Sequence, residues 1–201
     1  MSRSSLRRAY GVWAPIYDGA VSGFSAPLRR QSLAELPKDA QRILINGIGT
    51  GLDLPYLPAG KDLIGTDLSR AMLRRAQKRG HAVWLVQADA EALPLADGSI
   101  DLVILHLILA VVPDARKALT EVVRVLRPGG EIRLLDKFLR PGERAWLRRA
   151  IAPLSAALAT HTDLVFEEIL AQQPSLAVIS DTPAALGGWF RLIRLRKSLS
   201  A

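Results

Sequence analysis

The sequence predicts an α/β domain, a mostly parallel β-sheet with helices on both faces. Three observations carry the prediction. Short apolar runs alternate with amphipathic stretches along most of the 201 residues. The run IDLVILHLIL at 100–109 is apolar almost throughout, as a strand buried on both faces requires. Three glycines at alternate positions, Gly47, Gly49 and Gly51, directly follow the first apolar run. In such sheets ligands lie beyond the carboxyl ends of the strands, and glycine lets a ligand rest on bare backbone.

The elements follow in order. Residues 42–46 read as a buried strand and 62–67 as a second. LSRAMLRRAQKRG reads as a helix with Ser69 as N-cap and Gly80 just past its end. Residues 82–89 and 100–109 read as strands three and four. In PDARKALTEVVRVLRPGG, Asp114 is placed to cap a helix, Leu119, Val122, Val123 and Leu126 line one side, and Pro128-Gly129-Gly130 stops it. Strand five covers 131–138. FEEILAQQ reads as a helix, LAVISD as a short strand and 189–197 as a last strand that could pair antiparallel with its neighbour. Residues 1–38 read as a helical preamble, and 141–162 as a basic amphipathic insert after strand five.

Composition narrows the function. Hydrophobic residues make up 49% and charged residues 23%, a globular balance. The chain has no cysteine, which excludes a disulfide framework, a thiolate metal site and a cysteine nucleophile; a reducing compartment fits. The longest apolar run, LVILHLILAVVP, is too short to span a bilayer. The Arg- and Ser-rich start, without an acid before Asp18, admits a transit-peptide reading, although structured-looking sequence begins by Tyr10. The net charge of +8 favours anionic partners, or else reflects solvated helix faces.

The glycine run fits neither of two common phosphate motifs. A phosphate loop needs Gly-Lys-Ser/Thr, but Asp62 follows Gly60-Lys61. A dinucleotide fingerprint needs a third glycine where Leu52 stands. Two acids follow in place. Asp67 ends strand two, 20 residues after Gly47, where a carboxylate can accept from ribose hydroxyls. Asp89 ends strand three, placed for an adenine amino group. A nucleoside-sized ligand without a pyrophosphate satisfies this set; alternatively, either acid caps the helix after it.

Four stretches in succession, ILINGIGTGLDLPYLP, IGTDLSRAMLRRAQKR, VQADAEALPLADGSIDLVILHLIL and LTEVVRVLRPGGEIRLLD, resemble the motifs of class I S-adenosylmethionine-dependent methyltransferases. The resemblance is strongest to the branch of ubiquinone/menaquinone-biosynthesis C-methyltransferases and phospholipid N-methyltransferases. YGVWAPIYD is similar to the segment many of these carry over the cofactor, and GGWFRLIRLRK to their last strand. The resemblance covers most of residues 10–197. It implies a Rossmann-like, seven-stranded, mostly parallel sheet with an antiparallel last strand. It also implies a single methyltransferase domain over 1–201, with 1–38 as a lid and 141–162 over the acceptor site.

By the same resemblance Gly47, Gly49 and Gly51 border the methionine part of S-adenosylmethionine. Asp67 holds the ribose hydroxyls, Met72 flanks the adenine, and Leu68 also belongs to the cofactor-binding set. Asp89 and Ala90 meet the adenine edge, His106 lies near the sulfonium, and Tyr10 and Tyr17 belong to the lid. The product would be S-adenosylhomocysteine. One position departs: the family carries an acid two residues before the first glycine, where this chain has Ile45. Asn46 is adjacent, but neighbours on a strand point to opposite faces.

Methyl transfer from a sulfonium needs alignment and exclusion of water more than a triad. No G-x-S-x-G is present, and His81, His106 and His161 lack metal-ligand spacing. His106 is the candidate base for an acceptor that must lose a proton; otherwise it is a strand-end histidine bonded to backbone. Trp13, Trp146, Leu147, Ile151 and Leu154 with Arg144, Arg148 and Arg149 suggest a small lipophilic acceptor, a quinone precursor or phospholipid head group, reached from the cytoplasm in peripheral contact with an anionic membrane. The alternative is a lid packed on the body. Three rivals remain at this level. A nicotinamide dehydrogenase is opposed by Leu52. A nucleic-acid methyltransferase is opposed by LHLILAVVP, where an N-P-P-[YF] motif would stand. A non-catalytic binding module is left open by Ile45.

Overall fold

The computed structural model describes residues 23–139 and 164–199. Helix α1 spans 23–33. Strands β1 (Arg42–Asn46) and β2 (Asp62–Asp67), helix α2 (Arg70–Gln77), strands β3 (Trp84–Gln87) and β4 (Ile100–His106), and helix α3 (Ala115–Val125) follow. Strand β5 (Leu126–Lys137), helix α4 (Phe166–Leu170), and strands β6 (Leu176–Ala185) and β7 (Phe190–Lys197) complete the described chain.

The sheet order is β3-β2-β1-β4-β5-β7-β6. The pairs β1–β2, β1–β4, β2–β3 and β4–β5 are parallel, whereas β7 runs antiparallel to both β5 and β6. The expected Rossmann-like sheet is therefore present, and both terminal strands join its antiparallel half. The strand order reverses between β1 and β4, which opens a crevice at their carboxyl ends.

Alternation along the strands sorts the core into two layers. Ile43, Ile45, Leu102 and Ile104 pack with Leu33 of α1 and Leu73 and Ala76 of α2. Leu44, Val103, Leu105, Ile132 and Leu134 face the other way, onto Leu119 and Val122 of α3 and Phe166 and Ile169 of α4. Burying one Leu or Ile side chain contributes about 1.5–3 kcal/mol, so these layers dominate the stability of the fold.

Several boundaries differ from the expected ones, each for a local reason. Strand β4 ends at His106 because Leu107 adopts φ 60°, which turns the chain out of the sheet. Helix α3 stops at Val125, ahead of the Pro128-Gly129-Gly130 breaker, because β5 already starts at Leu126. Asp114 caps α3 as expected, accepting from the N–H groups of Arg116 and Lys117. Ser69 occupies the N-cap of α2, yet its side chain makes no capping bond. Strand β6 runs to Ala185, through Pro183, as an edge strand permits.

Candidate active site

At the carboxyl ends of β1, β2 and β4, one cavity is lined by most of the expected residues: Gly47, Gly49, Asp67, Leu68, Met72, Asp89, Ala90 and His106. The loop after β1 is tied to β2, because the N–H groups of Gly47 and Ile48 both donate to Thr66 O, at 2.9 and 2.8 Å. At Gly49, with φ 56°, a Cβ would meet nothing within 4 Å; the backbone there faces open space. Gly51 departs from its expected place. It does not line the cavity. With φ 82°, its Cβ would come within 2.8 Å of Leu54 Cδ1 and 3.3 Å of Ala76 Cα, so this glycine lets α2 pack against the loop.

Asp67 takes the helix-entry role that the sequence left open and also braces the glycine loop. Its Oδ1 accepts from Ser69 N at 2.7 Å, fixing the entry to α2, and its Oδ2 accepts from Gly49 N at 2.9 Å, fixing the glycine loop. A carboxylate offers about four acceptor positions, so capacity for hydroxyl donors remains. Burial pushes its carboxyl up, and the bonds from Ser69 and Gly49 only partly oppose that. Asp89 Oδ1 accepts from Glu91 N at 3.0 Å while the residue lines the cavity.

His106 is held by side chains and not by backbone. Its Nδ1 lies 2.7 Å from Asp53 Oδ1 and its Nε2 2.9 Å from Ser32 Oγ of α1. Arg29 of α1 pairs with Asp53 at 2.6 Å and donates through Nε to Ser25 Oγ at 3.1 Å. Burial raises the Asp53 carboxyl, but the charges of His106 and Arg29 and their hydrogen bonds outweigh it and hold the group well below the usual carboxylate range. An ionised Asp53 only accepts, so Nδ1 carries a proton toward it, while Nε2 and the Ser32 hydroxyl share a hydrogen bond. Both ring nitrogens are thus engaged by side chains.

Sequence reasoning did not single out Asp53, Arg29 or Ser32. Nothing in their local pattern separates them from loop and helix-surface residues; their partners lie 24 to 74 positions away. Asn46 lines the cavity and is buried, its Oδ1 accepts from Thr66 Oγ1 at 2.9 Å, and its Nδ2 has no partner. Ile45 packs in the apolar layer behind it, so the acid missing from that position has no counterpart there. An orphaned amide donor, a carboxylate with spare acceptor positions and an open stretch of backbone fit a nucleoside carrying an amino-acid tail. Tyr10, Tyr17, Trp13, the insert 141–162 and His161 lie outside the described residues. Among the described residues no cluster of His, Asp and Glu is arranged to hold a metal, and no helix is long and apolar enough to cross a membrane.

Comparison with known proteins adds the family. A profile described as a methyltransferase domain matches residues 44–134, from the third residue of β1 through most of β5. A phosphatidylethanolamine N-methyltransferase of Cereibacter sphaeroides is 32% identical over 204 residues, covering 98% of this chain and 100% of the relative. A demethylmenaquinone methyltransferase of Renibacterium salmoninarum is 40% identical over 154 residues, covering 70% of this chain and 65% of the relative's own length. Among solved structures, a SAM-dependent methyltransferase of Thermotoga maritima, described as a possible histamine N-methyltransferase, superposes with a TM-score of 0.74. It is 21% identical and covers 95% of this chain and 99% of its own, a likeness of fold.

Proposed function

The chain belongs to the S-adenosylmethionine-dependent methyltransferases, and on that premise we propose that its cavity binds S-adenosylmethionine and that the enzyme methylates a small lipophilic acceptor, a quinone precursor or a phospholipid head group. The observation that carries the reading is the meeting of Gly49, Asp67, Met72, Asp89 and His106 in one cavity at the strand-order reversal.

When bound, S-adenosylmethionine supplies a methyl group already activated on a sulfonium. The protein's residues supply placement. Asp67, fixed by two main-chain N–H groups, accepts from the ribose hydroxyls. Met72 and Leu68 flank the base, and Asp89 with Ala90 meets its edge. Gly47 and Gly49 offer bare backbone to the amino-acid tail. His106, oriented by Asp53, stands at the cavity wall as the candidate base for an acceptor that must lose a proton. Such alignment accounts for roughly 7–11 kcal/mol of barrier lowering in well-oriented reactions, without a triad.

The acceptor class is supported by the two relatives named for a phospholipid and a quinone, and by the basic amphipathic composition of 141–162. We place the work at the cytoplasmic side, in peripheral contact with an anionic membrane. Incubation with radiolabelled S-adenosylmethionine and a bacterial lipid extract should move label into the organic phase. Label found only in water-soluble products would reject the lipophilic acceptor, and failure of S-adenosylmethionine to bind at all would reject the cavity assignment.

A further inference from the structure

We propose that the face of the antiparallel half of the sheet that bears Arg133, Arg194 and Arg196 is a binding site for a phosphomonoester dianion, separate from the cavity. The register sets Glu131 opposite Arg196 and Arg133 opposite Arg194. Strand alternation puts these four side chains on one face. That face continues into Leu135 and Leu192, which pack with Leu28 of α1.

Three guanidiniums converge on one carboxylate. Arg133 Nη1 lies 2.5 Å from Glu131 Oε2, Arg196 Nη2 2.5 Å from Oε1, and Arg194 Nη2 3.7 Å from Oε2. Burial raises the Glu131 carboxyl, but bonds from Arg196 and Arg133 outweigh it and keep the group below its ordinary value, so it is ionised. The group therefore carries a surplus of two positive charges. Among the described residues no other acid pairs with these arginines; Arg133 spends its remaining contact on the Glu35 carbonyl at 2.8 Å. The Nε–H groups of Arg133 and Arg194 are buried and have no partner.

Such an arrangement is costly as plain architecture. The buried Arg133 shares its one carboxylate with two further guanidiniums, and each orphaned donor adds a desolvation cost. Burial above all, with lesser repulsion from Arg194 and Arg196, holds the Arg133 guanidinium below its ordinary value against the pull of Glu131. Approach is open, because the Arg194 and Arg196 side chains are 36% and 56% exposed while Arg133 behind them is 1% exposed. Planar guanidinium forks match phosphate oxygens two at a time, and a dianion cancels the surplus, which a carboxylate or a phosphodiester leaves half unmet.

The test is titration of the purified full chain with inorganic phosphate and glycerol 3-phosphate at pH 8, with ionic strength held constant by chloride, read by thermal shift and phosphorus NMR line width. In parallel, co-sedimentation with vesicles containing phosphatidic acid is compared with vesicles containing phosphatidylglycerol. Saturable binding of the soluble esters assigns a diffusing ligand. Binding confined to phosphatidic acid vesicles assigns a lipid head group. In either case the double variant R194Q/R196Q should bind at least tenfold more weakly while its S-adenosylmethionine affinity stays unchanged. That second reading keeps this proposal separate from the cofactor assignment. A response no greater than that to chloride in both arms, or one equal in the double variant, overturns it.

Discussion

Two buried aspartates at the carboxyl edge of the sheet meet opposite treatment. Asp53, in the loop after β1, is gripped by the Arg29 guanidinium and the His106 ring, and its carboxyl is held far down. Asp136, at the end of β5, has only main-chain donors close by: Ala110 N at 3.1 Å and Lys137 N at 2.8 Å. Burial pushes its carboxyl up to about 6, which those donors and the nearby Lys137 charge do not offset. Equal burial thus gives one permanent anion and one group that titrates at about 6; the difference is whether full charges bond the carboxylate directly or chiefly amide dipoles answer it. Asp67 stands with Asp136, held by two amides and pushed up by burial. The network around Asp53 orients a ring, whereas Asp136 anchors the 107–112 turn, most of which lines the cavity.

The comparison breaks most directly at Asp53. Asp53→Asn leaves Arg29 and His106 without their anion and should cost about 3–5 kcal/mol in urea unfolding; a loss under about 1 kcal/mol would mean that solvent already answers those charges. Because the native carboxyl is held low, its contribution is full above the ordinary value of 3.8 and is lost as pH falls below it, so the variant's acid limb should be flatter. Asp136 has the opposite sign. With its native value raised, the contribution is full below 3.8 and is lost as pH rises through about 6. Asp136→Asn should remove that slope, worth at most about 3 kcal/mol at 1.36 kcal/mol per pH unit; an unchanged slope between pH 4 and 6 would place the titration elsewhere.

Asp67 tests whether an amide-held carboxylate serves a ligand. Asp67→Ala should weaken S-adenosylmethionine binding by about 2 kcal/mol, more than tenfold, and wild-type affinity should fall as pH drops and Asp67 takes up its proton. Unaltered affinity in calorimetry refutes the ribose assignment. The smallest effect separates two glycines. Gly51→Ala should destabilise by about 1 kcal/mol through crowding and its left-handed backbone, with little change in ligand affinity. Gly49→Ala should do the reverse in relative terms; equal effects on both readouts would erase the distinction.

The sheet was legible from the sequence because burial on both faces writes continuous apolar runs, as at Ile100–His106. Its ends were less so. Nothing in the sequence shows that Leu107 leaves the strand with a positive φ, and the short strand read over LAVISD runs on through Pro183 because β6 is an edge. The cavity's glycines and acids were placed by motif order. The Arg29–Asp53–His106–Ser32 network was hidden, because contacts between residues up to 74 positions apart leave no local periodicity.

That same separation bears on how the protein is made. Ser32 of α1 waits for β4, whose last residue follows it by 74 positions. At about 5–20 residues per second, a ribosome delivers that stretch roughly 4–15 seconds after α1. Phe24 and Leu28 of the same helix pack on Phe190 and wait longer still, so the amino-terminal helix is a natural client for a holdase.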